Sequence, residues 1–394
     1  MLPLAVTAYT ATSACGRGLH ALRSALRGGH SGLRLNDFST APLSTWIGRV
    51  DGLEESPLPN SLAEWECRNN RLAWLALQQD EWLAKLEALQ SRYSAHRIAI
   101  VMGTSTSAIG ETEGAYARLD AAGAFPADQY RSVVHTPHSL GGFVQAATGL
   151  RGPCVTVATA CSSSAKVFAQ AARLINAGIV DAALIGGVDT LCGSVLFGFN
   201  ALGLVAPNRC QPFDVARCGL SLGEAGGYAI IERDGDGPRL LGYGESSDAH
   251  HMSSPHPEGL GARLSMQAAL TRAGCDASEV DYINLHGTAT PKNDEIEAAA
   301  VAALFPESTR ASSTKGWTGH TLGAAGIVES VIALDALVTG LMPGTLGCEQ
   351  PDPACGPQLL RETMQTTARI SMNNSFGFGG NNCSLLFAGE GYRQ

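Results

Sequence analysis

Strand and helix patterns alternate along this chain, and the alternation runs through twice. No other feature restricts the fold as strongly, because successive strand–helix units joined by short turns lay strands side by side and cover the sheet with helices. In the first pass, Leu62, Trp65, Leu72, Trp74, Leu75, Leu77, Trp82, Leu83, Leu86 and Leu89 predict one long helix over 62–90. Residues 96–102 read as a buried strand ending in Gly103-Thr104-Ser105-Thr106-Ser107. A helix is predicted over 165–177, and strands over 180–185 and 226–232. The second pass predicts helices over 264–273, 294–304 and 321–338, with strands over 280–285, 367–372 and 382–388. The strand–turn–helix around 153–177 has a counterpart at 315–338, which points to internal duplication. Two stacked α/β halves are expected, divided at 1–243 and 244–394.

Length and composition agree with that reading. At 394 residues the chain exceeds the size at which one core stops growing. Apolar residues make up 45% and charged residues only 16%, with 46 glycines for tight turns, which excludes a disordered or fibrous chain. The net charge of −9, with no Lys/Arg run, argues against nucleic acid as the partner. Eleven scattered cysteines form no CxxC pair, so neither a metal ribbon nor a disulfide scaffold is expected, and a reducing cytoplasm fits. The start, Met1-Leu2-Pro3-Leu4-Ala5-Val6-Thr7, lacks the basic residues of a signal peptide. No membrane span is expected, since no uninterrupted apolar stretch approaches 18 residues.

Four segments carry chemistry. In Val157-Ala158-Thr159-Ala160-Cys161-Ser162-Ser163-Ser164-Ala165 an apolar strand pattern meets a small polar turn and a helix begins. A cysteine there sits at a helix N-terminus, whose partial positive charge and free N–H groups favour the thiolate and predict a lowered pKa. His286 follows a strand in Asn284-Leu285-His286-Gly287-Thr288-Ala289-Thr290-Pro291, where α/β folds project functional residues; a surface-loop histidine is the alternative. Lys315-Gly316-Trp317-Thr318-Gly319-His320-Thr321-Leu322-Gly323-Ala324-Ala325-Gly326 surrounds one lysine and one histidine with small residues, which implies close backbone packing. A buried lysine needs a partner, and Glu329 in the following helix is the candidate. Asn373-Asn374-Ser375-Phe376-Gly377-Phe378-Gly379-Gly380-Asn381-Asn382 reads as a glycine-rich loop able to present N–H groups and swing an aromatic gate. A phosphate cradle is the weaker reading, because no Lys-Ser/Thr follows.

A thiol, two histidines, a lysine and a glycine-rich loop suit acyl-thioester chemistry. With Arg97-Ile98-Ala99-Ile100-Val101-Met102-Gly103-Thr104, Pro212-Phe213-Asp214, Gly223-Glu224-Ala225-Gly226 and Ser246-Ser247-Asp248-Ala249-His250-His251-Met252, these segments make the chain resemble the β-ketoacyl-[acyl-carrier-protein] synthases of the elongating type I/II branch, over nearly its whole length. The resemblance implies a thiolase-like fold, two duplicated halves in a layered α-β-α-β-α stack. It implies decarboxylative condensation of an acyl group on Cys161 with malonyl-acyl-carrier protein, giving 3-oxoacyl-acyl-carrier protein and CO2. Cys161 would be the nucleophile, His286 and His320 donors to the malonyl thioester carbonyl, and Lys315 with Glu329 the tuning pair, Asp294 being a further supporting carboxylate. The N–H groups of Cys161 and Phe378 would form the oxyanion hole, with Phe378 and Phe376 at the gate, and Thr288 and Thr290 would bind phosphopantetheine. No cofactor or metal is implied beyond the phosphopantetheine of acyl-carrier protein.

Departures from the family pattern are Asn381 for Thr, Phe213 for Trp and Gln211 for an arginine that contacts carrier protein. Arg209, Arg217, Arg68 and Arg71 are the expected substitutes for docking acidic acyl-carrier protein. A degradative thiolase would need a second catalytic cysteine, and Cys383 lacks the Cys-Gly-Gly setting. An initiating synthase would carry Asn in place of His320. A chain-length factor would lack the nucleophile. The expected assembly is a homodimer, with a heterodimer beside a chain-length-factor homologue as the alternative. The Ser162-Ser163-Ser164-Ala165-Lys166 continuation resembles ketosynthases of specialised polyene or polyketide clusters more than housekeeping fatty-acid enzymes, with both pathways left open.

Overall fold

The computed structural model describes residues 1–392. Ten strands form the main sheet: β1 (Leu4–Ser13), β2 (Ile98–Gly103), β3 (Cys154–Val157), β4 (Ala182–Asp189), β5 (Ala225–Glu232), β6 (Arg239–Ser247), β7 (Tyr282–Asn284), β8 (Arg310–Ser312), β9 (Ile370–Gly377) and β10 (Asn381–Ala388). An additional two-residue strand, Gly16–Arg17, folds back on β1. The hydrogen-bonded order is β8-β7-β9-β10-β6-β1-β5-β4-β2-β3.

That order contains the duplication. Outward from the middle, the first half runs β1-β5-β4-β2-β3 and the second β6-β10-β9-β7-β8, each strand matching one five places earlier. Directions repeat too: β1–β5 and β5–β4 are antiparallel while β4–β2 and β2–β3 are parallel. Their counterparts β6–β10, β10–β9, β9–β7 and β7–β8 follow the same pattern. The halves share sheet hydrogen bonding at one corner, where Leu4 and Ala5 pair with Leu240 and Arg239. The division expected at 243/244 falls inside β6.

The named helices are α1 (Arg68–Leu77), α2 (Trp82–Arg92), α3 (Ser163–Asn176), α4 (Gly193–Ala201), α5 (Pro291–Leu304) and α6 (Ala325–Thr339). Helices α3 and α6 fill the layer between the two halves of this sheet, where Phe168, Ala172, Ile327 and Val331 join Val101 and Ile185 in one core. Side chains alternate along a strand, so Ile98, Ile100 and Met102 of β2 face the opposite way, into an outer core with Leu72, Trp82 and Phe143. On the far side Met266 and Val301 cover Ile283, Met372 and Leu386. The result is five layers, helix–sheet–helix–sheet–helix.

Several predicted boundaries change. The single helix over 62–90 is three pieces, a 3-10 turn (Asn60–Trp65), α1 and α2. The break falls at Asp80 and Glu81, which take left-handed φ values of 51° and 58° that a helix interior excludes. The Asp80 carboxylate accepts from the Leu19 N–H and the Thr10 hydroxyl, which fixes the break. The helix predicted from 321 begins at Ala325 after a 3-10 turn, Leu322–Ala324. Most of the glycine-rich loop is strand: β9 continues through Gly377, leaving only Phe378–Gly380 as the turn. Among the described residues one helical stretch, Leu322–Thr339, is long and apolar enough to cross a membrane; 83% of it is buried in the protein as the central helix.

The small residues near 323–326 have a packing cause. A Cβ at Gly326 would lie 2.3 Å from the Ala165 backbone nitrogen, so α6 meets α3 main chain to main chain. The Ile327 N–H donates to the Ser164 hydroxyl at 2.9 Å across this contact.

Candidate active site

The two central helices start at the same place. Cys161 lies just before α3, after Ala160, whose left-handed φ of 52° turns the chain out of β3. His320 lies in the counterpart turn ahead of α6. Its backbone is clamped into the Ser221–Gly223 segment, the His320 N–H donating to the Ser221 carbonyl at 2.7 Å and the Gly223 N–H to the His320 carbonyl at 2.9 Å. His286 follows β7, and the Glu297 carboxylate of α5 receives the His286 and Gly287 N–H groups at 2.8 and 2.7 Å. Side chains far apart in sequence thus converge: His320 Nε2 stands 3.0 Å from Cys161 Sγ, and the two imidazole rings meet edge-on, centroids 5.4 Å apart.

Lys315 is 1% exposed and donates to the Glu329 carboxylate, to the His286 carbonyl and, at 3.4 Å, to His286 Nδ1. That last contact makes Nδ1 the acceptor and places the ring proton on Nε2. Burial, the Lys315 charge and the His320 ring hold His286 well below the ordinary histidine pKa; burial and Lys315 do the same to His320. Both rings are neutral near pH 7. Burial pushes Glu329 and Glu297 up to about 7, against the pull of Lys315 on the first and of two backbone N–H groups on the second.

The thiol does not follow the expectation of a lowered pKa. Burial pushes Cys161 up to about 11, opposed by Lys315 and by the Phe378 N–H directed at the sulfur. The helix terminus is present, but the site is dry, and desolvating an anion costs more than that terminus returns.

A cavity of about 220 Å³ reaches from Cys161, His286 and His320 past Phe378, Thr288 and Thr290 to the surface. The Thr288 and Thr290 hydroxyls share a 2.8 Å hydrogen bond. Phe378 stacks on Phe199 of α4 at 5.4 Å, while Phe376, in strand β9, packs 5.9 Å from the His286 ring. Asp294 lies below the cavity wall, not in it. Its carboxylate accepts from the N–H groups of Phe213 and Ala289, two residues with left-handed φ of 62° and 66°. Burial lifts its pKa to about 6.

The four arginines expected at a docking surface are spread out and mostly engaged. Arg68 pairs with Glu54 and with Glu224, which is fully buried. Arg71 pairs with Glu66. Arg217 is 6% exposed and binds Asp352 at 2.6 Å and the Pro291 carbonyl. Only Arg209 is exposed, its guanidinium 4.2 Å from the Trp46 ring centroid. Arg68 is drawn inward by the fully buried Glu224, and Arg217 is enclosed between Asp352 and, at 4.0 Å, the buried Asp294.

Two contributors escape the sequence motifs, and a third, Lys166, lies in one without a role assigned to it. Glu297 holds the His286 turn from eleven residues away. Asp189, at the end of β4, gathers the Thr104, Ser105 and Thr106 hydroxyls and the Gly323 N–H beside His320. Lys166 donates to Asn381 at 3.2 Å, tying α3 to the Phe378 turn. Glu297 sits on the inward face of a helix, one turn after Asp294, and that spacing is the only signal for it.

A thiol, two imidazoles and a directed amide in a dry cavity can accept an acyl group on sulfur and stabilise an oxyanion. By donor type Cys161, His286 and His320, with ligand atoms within 4.8 Å of one another, could chelate a soft metal ion. The Lys315 ammonium against His286 sets a like charge beside any such ion. Fold and site together define a thiolase-fold acyltransferase.

Comparison with known proteins agrees. Residues 65–236 match the beta-ketoacyl synthase N-terminal domain and residues 239–349 its C-terminal domain. The chain is 36% identical to a mitochondrial 3-oxoacyl-[acyl-carrier-protein] synthase of Arabidopsis thaliana over 63% of its length, spanning 59% of that protein. It is 29% identical to 3-oxoacyl-[acyl-carrier-protein] synthase 2 of Vibrio cholerae, over 97% of this chain and 98% of the relative. A ketosynthase from Xenorhabdus doucetiae, solved in complex with its chain length factor, superposes with a TM-score of 0.90 at 35% identity, covering 98% of both chains. The chain belongs to the beta-ketoacyl synthase family.

Proposed function

We propose that this enzyme joins an acyl group held on Cys161 to malonyl-acyl-carrier protein, releasing CO2 and 3-oxoacyl-acyl-carrier protein. The contact between His320 Nε2 and Cys161 Sγ carries this reading. With its pKa near 11 the resting sulfur is a thiol, so attack on an acyl thioester requires a neighbouring neutral base, and His320 stands 3.0 Å away. Sulfur bonds to the acyl carbon, the oxyanion rests on the Cys161 and Phe378 N–H groups, and the phosphopantetheine thiol leaves with the proton.

Malonyl thioester then occupies the same cavity, its arm beside Thr288 and Thr290. Neutral His286 donates from Nε2 to the thioester oxygen, its Nδ1 being held by Lys315. His320 donates from Nε2 in its other neutral tautomer, with the proton on Nε2 rather than on Nδ1 as in the acylation step. As the carbon–carboxylate bond breaks, its electron pair moves into an enolate that these donors stabilise in the transition state. The enolate carbon attacks the acyl carbonyl, the carbon–sulfur bond breaks, and the Cys161 sulfur leaves as thiolate and regains its proton from solvent by way of His320. Lys315, anchored by Glu329, fixes the His286 tautomer. The likeness to a ketosynthase solved with its chain length factor supports the catalytic role in such a pair, and the complete Cys161, His286, His320 set opposes the role of the non-catalytic partner.

Intact-mass analysis with acyl-carrier proteins of graded chain length, followed by malonyl-carrier protein, tests this. Cys161→Ala is expected to abolish acylation. His286→Ala is expected to keep acylation and lose decarboxylation, by about a hundredfold or more. Acylation lost and decarboxylation retained in His286→Ala would contradict the assignment. Condensation seen only when a chain-length-factor homologue is added identifies the heterodimer.

A further inference from the structure

We propose that Lys292 receives the phosphodiester of the phosphopantetheine arm at the mouth of the cavity. The inference rests on the reaction proposed above, since it concerns the outer end of the same substrate. A phosphodiester is a fixed single anion, and a cavity that guides the arm inward must meet that charge where the arm leaves it. Among the side chains lining the cavity, Lys292 is the only lysine or arginine.

The neighbouring groups leave this cation available. Its side chain is 73% exposed, and its ion pair is with Glu295 at 3.3 Å, itself 51% exposed. Such a pair is weak and exchanges readily for a better anion. The one carboxylate lining the cavity, Asp248, is already engaged by the Asn382 amide at 2.7 Å and the His256 N–H at 2.9 Å. Ser254 also lines the mouth and is exposed. Deeper in, Thr288 and Thr290 are uncharged, as befits the amide portion of the arm. The opening therefore combines one mobile cation and a hydroxyl with a neutral channel beyond.

Two small thioesters with the same acyl chain separate the idea from its premise: acyl-phosphopantetheine and acyl-pantetheine, which lacks the phosphate. The rate of Cys161 acylation is followed by intact mass. The wild type is expected to prefer the phosphorylated form by about fivefold at low ionic strength, with the preference shrinking as salt rises. Lys292→Ala should bring the phosphorylated form down to the level of the other. Lys292→Glu should reverse the order and Lys292→Arg should keep it. If the wild type acylates from both but shows no preference, or if Lys292→Ala and Lys292→Glu retain it, the assignment to Lys292 is overturned while the reaction stands. Acylation from neither compound and from no acyl-carrier protein would overturn the reaction itself.

Discussion

Cys161, the nucleophile of the proposed reaction, is a neutral thiol at rest. Burial sets the thiol near pKa 11, whereas an exposed cysteine ionises near 8.5. Because the folded value is raised, the thiolate fraction at any pH between these values lies below that of a free thiol. Iodoacetamide labelling of Cys161 should therefore climb about tenfold per pH unit from pH 7 through 9.5 with no plateau. A plateau at or below pH 8.5 would mean the thiolate is stabilised in the resting protein. Cys161 and His286 were legible in sequence because each sits in a turn of small residues after an apolar strand, and Lys315 and His320 because small residues crowd around them. The thiol's ionisation was not, since it depends on how much water the assembled site excludes. Glu297 was equally hidden, because a buried carboxylate on a helix looks like any other until its backbone partners are known.

Among the elements, α1 shows how placement decides what a charge does. Arg68 was read from sequence as a docking cation. The fold directs it onto Glu224, whose carboxylate also takes the Val50 and Leu191 N–H groups. Removing the arginine leaves a buried carboxylate without its cation. Arg68→Ala should cost about 3–5 kcal/mol in denaturant unfolding, whereas Arg71→Ala, at a half-exposed pair, should cost about 1 kcal/mol or less. A stable Arg68→Ala protein with weakened affinity for acyl-carrier protein would restore the docking role. The alternation of strands and helices could be read in advance because apolar periodicity survives in each segment. The break at Asp80 and Glu81 could not, because it depends on the Asp80 carboxylate capping a segment sixty residues earlier in the chain.

At the scale of the whole molecule, the halves share only one corner of sheet pairing, but many turn and side-chain hydrogen bonds and a great deal of core. Two register pairs join the sheets, while α3 and α6 contribute Phe168, Ala172, Ile327 and Val331 to one continuous apolar layer. Trp65, Trp74 and Trp82 report on the first half, and Trp317, whose indole donates to the Ala25 carbonyl, reports on the junction of the two. Far-UV circular dichroism and tryptophan fluorescence should give one coincident unfolding transition. Two separated transitions would show that the layer does not couple the halves. Duplication was suggested by the sequence only as a repeated logic, because the halves share strand order and direction with few identical residues.

Where α3 and α6 touch, no side chain stands between Gly326 and the Ala165 backbone. Side chains elsewhere can absorb a nearby mutation by changing rotamer; main-chain atoms have no such freedom. The spacing between sulfur and imidazole is thus referenced to a rigid joint, in the way a machine's moving tolerances are referenced to a datum face. Substitutions accumulating at the surface or in the outer layers can alter which acyl chain or partner is accepted while that datum holds. Evolution of new specificity in this chain is free at the periphery and constrained at a contact where Gly326 meets the Ala165 backbone directly.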